Sequence, residues 1–326
     1  LTSMVESGPL PDFDIRLQIN EIPMASSETI NMAMERIKKR FGEMATVRWN
    51  RLNGTPRHLF NYSGYLTPPS HLSPEEVVRG FLKDNLNLYG LTEEELTDLM
   101  SEGSYKTRHN GVTHLLLKQY YQGISVFQGV LKANVDSEGR ILNIGGQYYP
   151  GIRIPLTYHL SAVDALKAAT VDVAPDIVFE PEILSGHSGV DMTTVFQKGP
   201  FNRTDAFHRA SLVIFPMQNQ FRLAWQVILH KSSVERYIIL VDAETGNILY
   251  RSNMVKFNQP QGLVFEEDPD DAGQVTKPFV GDSIASPLGW LHQEVGVYST
   301  LGGNNVCAQE DRNDQNDGGY SPSKSN

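Results

Sequence analysis

The sequence contains a single cysteine, Cys307, among its 326 residues. One cysteine excludes an internal disulfide framework and a cysteine-based structural zinc site. Cys307 could act as a nucleophile with His292 as its base, but no catalytic signature surrounds the cysteine. Their separation in the sequence says nothing about their distance in the fold. We therefore expect no cysteine-based catalysis.

A zinc-peptidase motif is also absent. Such a motif places two histidines four residues apart on a helix, with a glutamate between them, so that both imidazoles reach one metal. None of the nine histidines lies three or four residues from another. The chain lacks HExxH, and we predict that it has no catalytic residues, no metal ligands and no activity by itself.

Two short motifs in the last part of the chain have weak ligand-binding character. The acidic run at 311–319 is rich in oxygen ligands that suit calcium, but Gln315 and Asn316 do not fit the EF-hand pattern. A solvated acidic loop is favoured over a calcium site. The Gly302–Asn305 run lacks the lysine of a phosphate-binding loop and predicts a tight turn.

Long hydrophobic runs and strong basic clusters are missing as well. No stretch reaches the roughly 18 to 20 apolar residues of a membrane span, so we expect a soluble chain. The net charge is −10, and −8 of it falls in residues 262–326, which argues against a nucleic-acid partner. The N-terminus has no signal-peptide pattern, so any export signal would lie outside this sequence.

Helix signals are clear in the first third of the chain. Apolar residues at helical spacing predict a helix from Ser27 that ends at Gly42. Ser73 with Glu76 forms a capping box that starts a second helix. The same spacing at Thr92 and Glu95 predicts a third, short helix that continues through Leu99 and Met100.

From Val112 onward the pattern is typical of antiparallel strands. Alternating and β-branched residues predict a meander over 112–149, with a turn at 136–139. Ser161 opens an alanine-rich helix, loops follow between 175 and 199, and strands are predicted near 211–215, 221–230 and 234–241. The similar runs at 135–142 and 241–249 suggest two related helix-plus-sheet modules. The composition becomes polar and acidic near 251–262, which suggests a domain boundary there.

The meander resembles the fungalysin/thermolysin propeptide domain. The run QYYQGISVFQG and the following VDSEGRILNIGG match its strand pattern at Gln119, Tyr121, Gly123, Val126, Phe127, Val135, Gly139 and Ile144. Residues 161–170 and 221–253 resemble the PepSY-type second prosegment module, and the positions that match it are Trp225, Asp242, Gly246 and Ile248. The segments GLVFEEDP, GDSIASPLGWL and GGNNV resemble the start of a fungalysin-type metallopeptidase.

This resemblance implies an α+β protein in four parts. They are a variable prosegment start at 1–70, a propeptide-type module at 71–152, a PepSY-like module at 153–255 and a truncated peptidase start at 256–326. The fold expected is two modules of helices on antiparallel sheets, followed by an extended, acidic and mostly irregular tail.

The resemblance further implies the prosegment of a secreted zinc metalloendopeptidase precursor, which assists folding and inhibits the protease until it is processed. Zinc would belong to the complete protease, and the partner would be the chain's own catalytic domain. We predict processing between Arg251 and Gln261. The alternative is a stand-alone protease-binding or inhibitory protein built from the same modules.

Overall fold

The computed structural model describes residues 10–18, 27–50, 52–201, 207–218, 220–232, 234–255, 261–264 and 275–278. The chain divides into two compact units, Leu1–Val255 and Lys256–Asn326. The described helices of the first unit are α1 (Ser27–Phe41), α2 (Pro74–Asp84), α3 (Leu86–Tyr89), α4 (Glu93–Thr97) and α5 (Ala162–Val173), with a 3₁₀ turn at Ile15–Gln18.

Strands make up most of the regular structure in the first unit. They are β1 (Phe13–Asp14), β2 (Ala45–Trp49), β3 (Pro56–Asn61), β4 (Leu99–Lys106), β5 (Thr113–Tyr121), β6 (Ile124–Val135), β7 (Ile141–Gln147), β8 (Glu182–Ser188), β9 (Thr193–Lys198), β10 (His208–Pro216), β11 (Phe221–His230), β12 (Arg236–Asp242) and β13 (Ile248–Asn253). The predicted α+β class is confirmed.

Capping residues set the helix starts as predicted. The Ser73 side chain accepts a hydrogen bond from the backbone of Glu76, and the Glu76 carboxylate accepts one in return, which closes the capping box of α2. The Thr92 box starts α4 in the same way, but that helix ends at Thr97. The prediction that it continues through Leu99 was wrong, because Leu99 begins β4 and pairs with Gln119 of β5.

One antiparallel sheet has the strand order β4-β5-β6-β7-β3-β2. Helix α2 presents Val77, Val78, Phe81 and Leu82 to the core of this sheet. Leu59 and Leu117, which are 0% and 1% exposed, lie in the same core. The apolar face of α2 and the inward residues of the strands therefore form one hydrophobic core.

A second antiparallel sheet has the order β8-β9-β10-β11-β12-β13-β1. Helix α5, which a capping box at Ser161 starts, packs against β10 to β13. Strands β8 and β9 lie where the sequence predicted only loops. Every residue of β8 is exposed, so no buried face marks it as a strand. Thr194 and Phe196 of β9 are buried, but glycines lie on both sides of this strand and favour loops.

The two sheets meet at one parallel pairing, Ile214 of β10 with Val126 of β6. The first half of β6 contacts β10, whereas its second half pairs with β7. Strand β6 is therefore shared by both sheets, which gives a single 13-stranded network of strands.

The two similar sequence runs form similar turns. The Asp136 carboxylate accepts hydrogen bonds from the backbone of Glu138 and Arg140, and the Asp242 carboxylate accepts them from Glu244 and Thr245. Gly139 and Gly246 follow with φ of 76° and 78°. Each turn joins the last two strands of a meander, which is the likeness that the sequence indicated.

In the second unit, the described residues form the hairpin β14 (Gln261–Val264) and β15 (Val275–Pro278). Cys307, the Gly302–Asn305 turn and the acidic run at 311–319 lie outside the described residues. Among the described helices, none has the combination of length and apolar composition that a bilayer crossing requires.

Candidate functional site

Six of the eight residues that resemble the propeptide pattern lie on the β5–β6 hairpin, whereas Gly139 lies in the turn after β6 and Ile144 in β7. Gln122 and Gly123 form the turn of the hairpin with φ of 49° and 83°, and Tyr121 pairs with Ile124 across it. A Cβ on Gly123 would lie 2.8 Å from the Val190 side chain. The glycine therefore provides both the positive φ and the room for the loop before β9.

A bulge in β6 follows this hairpin. The register of β5 with β6 shifts between Lys118 and Tyr120 of β5, and Gln128 of β6 has φ of 59°. At the bulge Val126 pairs with Ile214 of the other sheet. The bulge is thus the point where β6 changes partners, and it joins the two sheets.

Gln119 holds this junction from inside. Its side chain is 2% exposed, donates from Nε2 to the Tyr149 carbonyl at 2.8 Å and accepts from the Tyr149 N–H at 3.0 Å. The primary amide thus makes the two hydrogen bonds with Tyr149 that the backbone of a neighbouring strand would make. It thereby fixes the chain after β7, whose backbone groups would otherwise be buried without partners.

Phe127 projects into a third, smaller core that includes Phe215. Arg16 lies against both rings, with its guanidinium carbon 5.8 Å and 4.9 Å from their centroids. It also bonds Asp14 at 2.7 Å and the Gln128 side chain at 2.8 Å. Burial acts to lower the pKa of Arg16, but the hydrogen bond and charge of Asp14 outweigh it and raise the pKa.

Sequence reasoning missed Arg16. The segment before residue 70 showed no family motif, and a lone arginine near the start of a chain gives no signal of burial. The acid two residues earlier, Asp14, was the one available hint of an ion pair.

The matching residues of the second sheet are also structural. Trp225 is 1% exposed and donates from Nε1 to the Leu160 carbonyl at 2.8 Å. Asp242 is 3% exposed and lies 3.5 Å from the Arg222 guanidinium. A Cβ on Gly246 would lie 3.2 Å from the Leu160 side chain. The two contacts with Leu160 fasten the segment before α5 to β11 and to the β12–β13 turn.

The predicted processing residues occupy different surroundings. Arg251 lies in β13, where it pairs with Ile239 and Phe13. Its guanidinium bonds Asp172 at 2.6 Å and the Pro11 carbonyl at 3.1 Å. Gln261 begins β14 in the second unit.

We also looked at the described residues for side chains that could hold a metal ion. Among them, no group of three His, Cys, Asp or Glu side chains is placed to hold a metal ion. The motif residues pack, cap turns and join strands.

Residues 101–148 match the Fungalysin/Thermolysin Propeptide Motif. The chain is 29% identical over 212 residues to "Extracellular metalloproteinase mep" of Aspergillus terreus, and the match covers 61% of this chain and 32% of that protein. It is 26% identical over 214 residues to "Extracellular metalloproteinase MEP" of Leptosphaeria maculans, with 61% and 32% covered.

The chain spans about a third of the length of these relatives. Among solved structures, the Bacillus megaterium YpeB C-terminal domain aligns with a TM-score of 0.29 and 10% identity, over 72% of this chain and 99% of that one. This chain carries the fungalysin/thermolysin propeptide motif and is homologous to the N-terminal part of fungal extracellular metalloproteinases of the fungalysin family.

Proposed function

We propose that this chain acts as the prosegment of a secreted zinc metalloendopeptidase, which templates folding of the catalytic domain and keeps it inactive until processing. The observation that carries the proposal is the position of the propeptide motif. The matched residues, 101–148, include strand β6, whose Val126 pairs with Ile214 of β10 and so joins the two sheets of the first unit.

A preformed surface is the physical requirement for both roles. A prosegment that is ordered before it binds loses little conformational entropy on contact, so more of the interaction energy stabilises the bound protease. The motif residues supply that order, since Val126 pairs with Ile214 of the second sheet. The Gln119 side chain holds the backbone of Tyr149 after β7. Covering a cleft then excludes substrate without any catalytic group in the prosegment.

Open sheet edges offer one means of contact. Among the described strands, β4 pairs only with β5, and β8 pairs only with β9. Seven of the eight residues of β4 are exposed, including Met100 and Tyr105. An unpaired strand edge with exposed apolar side chains can pair with an extended segment of another chain.

Zinc, in this proposal, belongs to the protease and not to the prosegment. The described residues do not fit a zinc site, and HExxH occurs nowhere in the sequence. The names of the relatives, extracellular metalloproteinases, support both the metal and the secreted location.

Refolding of the protease tests the templating role. Denatured catalytic domain of the same organism would be diluted into buffer containing zinc, with or without an equimolar amount of this chain, and recovered activity measured after the chain is removed by proteolysis. We expect recovery to rise severalfold with the chain. A chain carrying Gln119→Ala and Val126→Asp, which disrupts the junction, is the matched control. Equal recovery without the chain, with the unaltered chain and with the double variant would contradict templating.

A further inference from the structure

The first sheet has two faces, and the described helices cover one of them. Helices α1 and α2 pack with the inward residues of the strands in one core. On the opposite face, a row of paired residues crosses five strands from β4 to β3: Tyr105, His114, Asn134, Asn143 and Phe60. Each of them is half-buried or exposed. We call this open side of strands β2 to β7 the outer sheet face.

Side chains of this row hold one another in place. The Tyr105 ring stacks on the His114 ring, with centroids 4.5 Å apart. The His114 Nδ1 lies 2.6 Å from the Asn134 Oδ1, and the Asn134 Nδ2 donates to the Asn143 Oδ1 at 2.9 Å. The Thr107 hydroxyl bonds the other His114 nitrogen at 2.7 Å. A partner would therefore meet side chains that are already ordered, so little rotamer entropy is lost on binding.

Aromatic rings lie at both ends of the row. At one end Tyr105 is 67% exposed. At the other end Phe60 stacks on His58 with centroids 4.7 Å apart, and the exposed Tyr62 ring meets Phe60 edge to face, also at 4.7 Å. Aromatic side chains are enriched in protein–protein interfaces relative to the rest of a protein surface. The outer sheet face thus has the composition of a protein-binding surface.

The charge of the outer sheet face is positive. Lys132 of β6 and Arg48 of β2 are exposed, and neither has an ion-pair partner among the residues that the structure describes. They belong to a second row of paired residues, which crosses β6, β7, β3 and β2 beside the first. Glu102 of β4 pairs with Lys118 at 3.7 Å, so these two charges offset each other. The face therefore presents two unpaired cations in a chain whose net charge is −10.

The part of the protease that this sequence resembles is acidic. Residues 262–326, which resemble the start of a fungalysin-type metallopeptidase, contain 11 acids against three bases. Opposite charges across an interface steer two proteins together and select the partner. A second copy of this chain would place like charges against each other in a symmetric contact, and a polyanion such as a nucleic acid would require a denser cluster of cations.

We propose that the outer sheet face docks an acidic surface of the protease catalytic domain, with Arg48 and Lys132 as its charged contacts and the Tyr62 and Tyr105 rings as its apolar ones. The inference rests on the proposed prosegment function and identifies the face of the prosegment that binds. Three of the six strands of this face, β5, β6 and β7, lie within the matched propeptide motif.

Binding of the chain to the matured protease tests the inference. Affinity would be measured by calorimetry for the unaltered chain, for Arg48→Glu combined with Lys132→Glu, and for the control Arg209→Glu combined with Arg236→Glu. The control cations are also exposed, but they lie on β10 and β12 of the second sheet, and both pairs change the net charge equally. We expect the first pair to weaken binding about thirtyfold or more, because like charges would then meet across the interface. The control pair should weaken it less than about threefold, and Tyr105→Ala alone should weaken it about fivefold or more.

Urea unfolding checks that the double variants fold, and the midpoints should match that of the unaltered chain because the substituted positions are exposed. If the reversed pair does not fold, Arg48→Gln combined with Lys132→Gln replaces it, with an expected loss of affinity of about threefold or more. Equal weakening by the face pair and the control pair, or no weakening by either, would overturn the inference and leave the prosegment function intact. Self-association of the unaltered chain that the face pair abolishes would also overturn it, since the face would then join two copies. If the unaltered chain does not bind the protease at all, both proposals fail.

Discussion

A few buried polar residues hold the first unit together, and they differ in how visible they are in the sequence. Gln119 belongs to a recognisable pattern, yet its bonds to Tyr149, 30 residues away, could not be predicted. Arg16 belongs to no pattern, and its contact with Gln128 crosses 112 residues. Sequence periodicity reports local structure, so long-range partners of single polar side chains remain invisible to it.

Replacing Gln119 with alanine should strongly destabilise the chain. The change leaves the N–H and the carbonyl of Tyr149 buried without partners, at a cost of about 2–4 kcal/mol. Urea unfolding followed by tryptophan fluorescence would measure the loss. The control is Gln18→Ala, at an exposed position, which should change stability by less than about 0.5 kcal/mol. An equal effect of the two variants would contradict the role given to Gln119.

Gly139 should tolerate alanine much less well than Gly54. Both have positive φ, 76° and 70°, so both variants carry a similar backbone strain of about 1 kcal/mol. A Cβ on Gly139 would lie 2.1 Å from the Ser70 carbonyl oxygen, whereas at Gly54 no other described atom lies within 4 Å. We expect Gly139→Ala to cost about 2–4 kcal/mol in total. The free energy of unfolding would be measured in urea for both variants. An equal loss in the two would show that Ser70 moves away freely.

Helices with a capping box and an apolar face were predictable, whereas a fully exposed strand was not. The helices α2 and α5 have capping boxes and an apolar face, and both lie where the sequence placed them. Strand β4 was read as the end of a helix because the Leu96, Leu99 and Met100 spacing fits a helix too. Residues from Leu99 onward form a strand because they pair with β5. Strand β8, exposed throughout, carries no periodic signal at all.

Acid should destabilise strand β10 through His208. This histidine is 2% exposed, and its Nδ1 accepts a hydrogen bond from the His230 N–H at 3.3 Å. Burial, with a smaller contribution from His230, lowers the pKa of His208 to about 4. Between about pH 6.5 and pH 4, His208 is therefore protonated in the unfolded chain but neutral in the folded chain. The free energy of unfolding falls as the pH drops through this range.

Protonation of His208 should lower the free energy of unfolding by about 2–3 kcal/mol between pH 7.5 and pH 4. Urea unfolding at the two pH values would be compared for the unaltered chain and His208→Gln, since glutamine cannot titrate. The difference between pH values should shrink in the variant, whatever its absolute stability. The same pH difference in both proteins would show that other groups cause the acid sensitivity.

At the scale of the whole molecule, composition suggested a change of character near 251–262, and the chain divides into compact units between Val255 and Lys256. Most of the net negative charge lies after that point. Composition could not reveal that β6 joins two sheets, because a parallel contact between residues 88 positions apart, Val126 and Ile214, leaves no trace in local pattern. The division into related modules stays a prediction.

Processing should spare the first unit and occur after it. Arg251 is paired on both sides in β13, and a protease needs an extended, unpaired substrate. We expect limited proteolysis to leave a fragment that ends between Val255 and Gln261, measured by mass spectrometry. Arg251→Ala should give the same end point, because Arg251 is not the recognised residue. A cut within 112–149 as the first event would contradict the proposed boundary.

Inhibition of the protease tests the central claim most directly. The folded chain would be titrated into the matured metalloproteinase of the same organism, and hydrolysis of a protein substrate followed at each concentration. A prosegment predicts dose-dependent inhibition that reaches completion near one chain per protease, and loss of inhibition in the Gln119→Ala and Val126→Asp double variant. Full protease activity at a large excess of folded, unaltered chain would contradict the account.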